Sequence, residues 1–181
     1  MEKEIVFRPA NPDDAQAIWK ILSQAIIRRK NDGSQQWQDG YPNPETVDND
    51  IDNQWGFVLQ VGDEVAVYAA LIKNFEPAYE EIKGQWISHQ DFLVVHRVAV
   101  SESFLGKGLV KVLFQQIEAY AVSQGIFSIK MDTNFDNLPM LKIAEKLGYV
   151  YCGKVYFRGG ERLALNLFKV KKSINTFKKR R

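Results

Sequence analysis

Residues 92–133 restrict the fold more than any other part of the chain. FLVVHRVAV (92–100) and IFSIKMDT (126–133) are apolar runs rich in strand-forming residues, and between them lies a segment of helical spacing. Two strands joined through a helix cannot make a hairpin; they lie parallel in one sheet with a right-handed crossover. The spacing predicts the helix over residues 107–124, with Leu109, Val112, Leu113, Ile117 and Tyr120 on one face and Gly125 as its stop. The corner ahead of it reads SESFLGKG, so Gly106, Lys107 and Gly108 stand where a strand gives way to a helix. Such a corner is a tight turn, or it is a cradle for a phosphate. A helix N-terminus offers unbonded N–H groups and a positive dipole end, and glycines let the backbone come close.

The rest of the pattern is not a succession of such units. EIVFRPA (4–10) reads as a strand, and NPDDAQAIWKILSQAIIRRK (11–30) as a helix capped by Asn11, with Pro12, Asp13 and Asp14 in its first turn. Ala15, Ile18, Trp19, Leu22 and Ile26 form its apolar face, and a second helix starts at Asn43-Pro44 by the same capping logic. GFVLQV (56–61) and EVAVYAALIKNF (64–75) make a hairpin about Gly62-Asp63. Asn137-Leu138-Pro139 opens a further helix with Met140, Ile143, Ala144 and Leu147 inward and Gly148 at its end. YVYCGKVYFR and ERLALNLF flank Gly159-Gly160, a hairpin signal. The fold class is therefore α+β, with a mixed, mostly antiparallel sheet and one parallel βαβ unit. Residues 1–168 read as one domain and 169–181 as a basic C-terminal tail.

With 181 residues, 45% hydrophobic and 25% charged, the chain can bury a core of its own and has the balance of a soluble globular protein. Cys152 is the one cysteine, so no internal disulfide forms, which fits a reducing compartment. The N-terminus carries acids and lacks the apolar stretch of a secretory signal. The longest apolar run, VAVYAALI (65–72), falls far short of the about 20 residues that span a bilayer. A cytoplasmic protein without a membrane partner is expected. The formal net charge is +2, yet the last thirteen residues, KVKKSINTFKKRR, hold seven of the 24 basic residues. That leaves 17 basic against 22 acidic residues in the body, a balance of −5. The balance argues against a nucleic-acid partner and favours a cationic small substrate. The tail is a polyanion-binding arm or a frayed, solvated terminus.

The nucleotide motifs that use a glycine corner do not fit. GKGLVKV lacks the G-x-x-x-x-G-K-[ST] of a Walker loop, and Lys111 occupies the third glycine position of G-x-G-x-x-G. HRVAVSESFLGKGLVKVLFQQIEAYA (96–121), followed by IKMDTNFDNLPMLKIAEKLGYVYCGK (129–154), resembles the acetyl-CoA-binding core of the GNAT family of N-acetyltransferases. The likeness covers at least residues 56–168, and the two early helices stand in that family's order.

The resemblance implies acetyl-CoA as cosubstrate and no metal. It implies that the backbone of Val98, Ala99 and Val100 pairs with the pantetheine arm as an added strand would. It implies that the backbone of Leu105, Gly106, Lys107, Gly108, Leu109 and Val110 wraps the pyrophosphate, and that Asn137 contacts the arm from the next helix. It further implies helices on both faces of the sheet and a βαβ unit whose parallel strands splay apart to admit the arm. The chain departs from the family at Leu105, where Gln or Arg is usual, and at Val110, where a small residue is usual. Ala144 replaces a tyrosine that can protonate the departing thiolate. The cradle's contacts are main-chain, so side-chain changes need not abolish it. A thiol with an ordinary pKa of about 8.5 can leave without an acid near neutral pH.

The implied reaction is direct acetyl transfer to a primary amine of a small molecule, an amino-acid-like compound or a peptide N-terminus. The ammonium has to lose a proton, and a backbone N–H on the Val98 strand could stabilise the oxyanion. His96, Asp132, Glu76 and Glu80 are the candidate bases, directly or through a water. Tyr79 is a candidate wall of the acceptor site or proton donor. Each has a plainer role open to it: a hydrogen-bonded strand histidine, a loop-bonding aspartate, solvated glutamates, a packed aromatic. Cys152 reads as a buried, inert thiol rather than an acyl carrier. QQWQDGYP (35–42) either covers a bound acceptor with Trp37 and Tyr41 or plugs the edge of the core. The rival reading of the whole chain, prompted by Ala144, is a non-catalytic CoA-binding regulatory module. The acceptor's identity, and whether the chain forms a homodimer, are left open by the sequence.

Overall fold

The computed structural model describes residues 3–158 and 160–169. Its elements are β1 (Ile5–Pro9), α1 (Ala15–Asn31), α2 (Pro44–Asp52), β2 (Gly56–Val61), β3 (Glu64–Lys73) and β4 (Lys83–Gly84). They continue with β5 (Phe92–Val100), α3 (Leu109–Ser123), β6 (Ser128–Thr133), α4 (Leu138–Leu147), β7 (Val150–Phe157) and β8 (Gly160–Phe168). The strands form one sheet in the order β1-β2-β3-β5-β6-β8-β7-β4. β5 and β6, joined through α3, are parallel, and all other neighbours are antiparallel. This is the α+β arrangement read from the sequence.

Period-two alternation decides what each face of the sheet touches. Phe57, Leu59, Val67, Ala69 and Leu71 turn to one face, under Leu109, Leu113, Phe114 and Ile117 of α3 and Ala144 of α4. Val58, Tyr68 and Ala70 turn to the other, under Ile18, Ile21 and Leu22 of α1 and Val47 and Ile51 of α2. Helices therefore cover both faces, and each fully buried Leu, Ile or Phe contributes about 1.5–3 kcal/mol of burial free energy. Further along the second face, Ile72, Val94, Val155 and Ala164 pack with Tyr79 and Trp86 from the β3–β5 connection.

Three local details differ from the sequence reading. Asn11 caps a short 3-10 turn, Pro12–Asp14, and α1 begins only after it. α3 begins at Leu109 rather than Lys107, because Gly106 and Gly108 both take φ of 73°, a left-handed conformation that no α-helix can include. β4 was not foreseen. It pairs with β7 by bringing Gly84 against Gly153, so close that a Cβ on Gly84 would lie 2.1 Å from the Cys152 carbonyl oxygen. The basic tail over 169–181 lies, apart from Lys169, outside the described residues, as does Gly159 of the β7–β8 turn.

The feature that positions the site is a bulge in β5. His96 pairs with Ala70 and Ala99 with Tyr68, so Arg97 and Val98 together oppose Ala69 alone. Arg97 takes φ of 56°, in the left-handed region that few non-glycine residues enter. The extra residue reverses the alternation: Val95 faces the α3 side, whereas Ala99 faces the α1 side. It also bends β5 away from its parallel neighbour. β5 pairs with β6 only from Phe92 to Val95, opposite Ser128 to Met131, while β6 stays zipped to β8 through Thr133. Beyond Val95 the parallel strands part, which is the splay expected of the βαβ unit.

Candidate active site

A cleft of about 570 Å³ opens at that parting. Val95, His96, Arg97 and Val98 of β5 line one side, and Met131, Asp132 and Thr133 of β6 the other. On the β3 side Ala99 and Val100 remain laddered to Tyr68 and Val67, and the Val100 carbonyl accepts a 2.8 Å hydrogen bond from Arg28 of α1. On the β6 side no strand among the described residues pairs with β5 from His96 onward. The corner at the end of β5 then runs from Ser101 to Gly108. Among the described residues, the N–H groups of Gly106, Gly108, Leu109 and Val110 find no protein acceptor, whereas those of Leu105 and Lys107 bond to Glu102 and Phe104 carbonyls. The Cβ positions of Gly106 and Gly108 face open space. Four free amides at the N-terminus of a fifteen-residue helix form an anion cradle. The Lys107 ammonium lies 4.8 Å from the Phe104 ring, and Leu105 points outward at 45% exposure. Asn137 caps α4, accepts from the Met140 amide and donates to Gln36, and it lines the same cleft. The cradle, the unpaired strand edge and Asn137 fit an extended ligand that carries phosphates at one end.

His96, Tyr79 and Asp132, far apart in sequence, meet where β5 leaves β6. His96 Nε2 lies 2.7 Å from Glu76 Oε2, and Nδ1 lies 3.7 Å from Asp132 Oδ1. The Tyr79 hydroxyl donates to the same Asp132 oxygen at 2.6 Å. Glu76 is held in place because its other oxygen caps the 3-10 turn Pro77–Tyr79 by accepting from the Ala78 amide. Trp86 packs on Tyr79 with the two rings tilted by 42° and donates its indole N–H to the Tyr79 carbonyl at 3.0 Å. Phe157 stands edge-on to both His96 and Tyr79. Burial pushes the Asp132 carboxyl above its ordinary range, against the pull of His96 and the Tyr79 hydroxyl. Burial and the neighbouring Asp132 hold the Tyr79 phenol well above its ordinary value, so it acts as a hydrogen-bond donor. Glu80 is exposed and stands outside this cluster. Ala144 is buried against the α3 side and supplies no proton donor. Cys152 is buried, its thiol donates to the Val150 carbonyl at 3.4 Å, and burial raises its pKa, which suits an inert thiol.

A second network went unread in the sequence. Asp50 of α2 is fully buried and accepts Arg97 Nε at 2.8 Å, Arg97 Nη2 at 2.6 Å and the Tyr68 hydroxyl at 2.5 Å. Arg97 also donates to the Tyr41 hydroxyl at 2.5 Å. Tyr41 belongs to the polar-aromatic loop 35–42, and Arg158 from the β7–β8 turn lies over its ring while pairing with Asp39 at 2.5 Å. The loop thus forms part of the cleft wall. Only its unusual aromatic content hinted at this. The left-handed Arg97 inside a strand-forming run has no sequence signature.

Residues 24–149 match the family model described as acetyltransferase (GNAT) family. Among solved structures, the chain is similar to a GNAT family acetyltransferase from Streptococcus agalactiae, with 34% identity over 94% of this chain and 99% of that one and a TM-score of 0.84. It shares its fold with a GNAT family acetyltransferase from Listeria monocytogenes, at 18% identity, 92% and 96% coverage and a TM-score of 0.74. It also shares it with yncA from Salmonella typhimurium, whose structure holds its cofactor acetyl-CoA, at 15% identity, 93% and 96% coverage and a TM-score of 0.66. No curated protein matches the chain. No helix of the described residues is long and apolar enough to cross a membrane.

Proposed function

We propose, from the premise that this chain belongs to the GNAT acetyltransferase family, that it moves an acetyl group from acetyl-CoA onto a primary amine of a small molecule, with His96 as the base. The position of His96 carries this reading. It is the first β5 residue beyond the β6 pairing, it lines the cleft, and it sits between two carboxylates. Acetyl-CoA, when bound, supplies an acyl carbon activated as a thioester. The residues that would hold it are the Val98–Val100 main chain, the 105–110 cradle and Asn137.

The acceptor arrives as an ammonium and has to lose a proton before it can attack. Asp132 lines the cleft; its Oδ1 is taken by Tyr79, while Oδ2 has no protein partner among the described residues. That oxygen anchors the acceptor nitrogen. In the tautomer that donates Nε2–H to Glu76, His96 keeps a lone pair on Nδ1, and 3.7 Å to Asp132 is too long a separation to engage it. The proton passes from the acceptor nitrogen to Nδ1, and Glu76 stabilises the imidazolium that results. Tyr79, locked by Trp86, keeps Asp132 aimed.

Thiol release from acetyl-CoA in the presence of an amine panel tests the reading. Release above background is expected only with an acceptor. H96Q should lower kcat about a hundredfold or more, the usual contribution of a general base, while CoA still raises the melting temperature. Thermal stabilisation by CoA without thiol release for any amine would favour the non-catalytic CoA-binding module. No response to CoA would remove both.

A further inference from the structure

We infer that the acceptor carries a carboxylate close to its amine, and that Arg162 is the residue that recognises it; this narrows the amine-transfer reading above and rests on it. Three guanidinium groups line the cleft, those of Arg97, Arg158 and Arg162. Arg97 is bound by Asp50 and Arg158 by Asp39. Arg162 has no carboxylate within ion-pair distance among the described residues, and its one hydrogen bond runs to the neighbouring Glu161 carbonyl at 3.2 Å. Its strand is the neighbour of the one that carries Asp132. Ala164 of β8 is the register partner of Asp132, and Arg162 precedes Ala164 by two residues on the same strand. It is therefore on the same face, with its Cα about 7 Å from that of Ala164. Its charge reaches Asp132 and opposes the effect of burial there.

The cleft thus holds an anchor for a cation at Asp132 and, along the same wall, a guanidinium with no carboxylate at ion-pair distance among the described residues. A plain monoamine or polyamine would meet that guanidinium as an ammonium and be repelled by it. An α-amino acid satisfies both charges at once: the ammonium on Asp132 and the carboxylate on Arg162, where the planar fork of a guanidinium can grip it through two hydrogen bonds. A peptide N-terminus offers the amine without the adjacent carboxylate. The half-buried ring of Phe157 and Trp55 border the space left for the side chain of such an acceptor.

The test compares the common α-amino acids, each as the free acid and as its α-carboxamide, by calorimetric binding to the protein–CoA complex and by thiol release from acetyl-CoA. The wild-type protein should bind at least one free acid about tenfold or more tightly than its carboxamide. In R162A that ratio should collapse towards one, and R162K should recover part of it. Comparing ratios cancels the different basicity of the two amines. The preference should also shrink as salt rises, a wild-type measurement that does not depend on the folding of any variant. Equal binding of acids and amides, binding of neither, or a preference that survives in R162A would overturn the inference. A carboxylate preference seen in binding without any acetyl transfer would leave it standing and remove the catalytic reading instead.

Discussion

Replacing Asp50 by alanine should destabilise the fold far more than any surface change, and the size follows from its partners. The carboxylate is fully buried and accepts three hydrogen bonds, two from the buried Arg97 guanidinium and one from the Tyr68 hydroxyl. D50A leaves a desolvated cation with the neutral Tyr41 hydroxyl in place of a counter-charge, and a desolvated phenol without its acceptor. Removing one member of a buried ion pair costs about 3–5 kcal/mol. For a chain of this length each kcal/mol lowers Tm by about 2–4 °C, so a drop of about 10 °C is expected. Urea denaturation followed by fluorescence, with the slope m unchanged, gives the free energy directly. Two companions separate the causes. Y68F should cost less, about 1.5–3 kcal/mol, one hydrogen bond to a charged group. The D50L/R97M double variant should cost less than D50A alone, because no charge is left unpaired. A loss below about 1 kcal/mol in D50A would refute the reasoning, since the pair would then be worth no more than an exposed one.

Other outcomes follow from the same geometry. G153A should cost about 3 kcal/mol or more, or detach β4, because its Cβ would fall 2.3 Å from the Lys83 carbonyl oxygen; loss of Trp86 burial, read by fluorescence, checks it. G108A meets no steric obstacle but forces alanine to φ of 73°, so about 1 kcal/mol of stability and much of the thermal shift by CoA should go. Asp132 titrates above its ordinary range because of burial, so the folded protein holds that proton more tightly than the unfolded chain does. Its contribution to stability is fully present below about pH 3.9, the unfolded value, and is lost as pH rises through the folded one. The stability of wild type relative to D132N should therefore decline across that interval in urea titrations at successive pH values, and a flat difference would contradict the assignment.

Much of the architecture was legible because pattern and period act locally. β2 and β5 were bounded to the residue, since alternation and uninterrupted apolar runs are cheap to recognise, and the Asn43-Pro44 start of α2 follows from side-chain capping alone. β4 was not legible. Its two residues pair only because Gly84 and Gly153 lack side chains, and that contact spans sixty-nine positions. The start of α3 was misplaced because a glycine near a helix end can stand inside or outside it until its φ is known. His96, Tyr79 and Asp132 were each named from residue chemistry, yet nothing in the sequence says that Glu76 caps a turn in a way that brings it to His96. Arg97 and Asp50 escaped notice because an arginine in a strand reads as solvent-facing, and only a bulge turns this one inward.

That bulge makes β5 one residue longer than its ladder needs, and the slot for the cosubstrate is where the surplus goes. Shortening the 97–98 stretch by a single position would let the neighbouring strands close like a seam. Ala99 would keep its place opposite Tyr68, and one residue would then face Ala69 in an uninterrupted ladder. The gap would vanish although every side chain assigned to chemistry was still in place. Length, at this point in the chain, is as much a part of the machinery as any functional group.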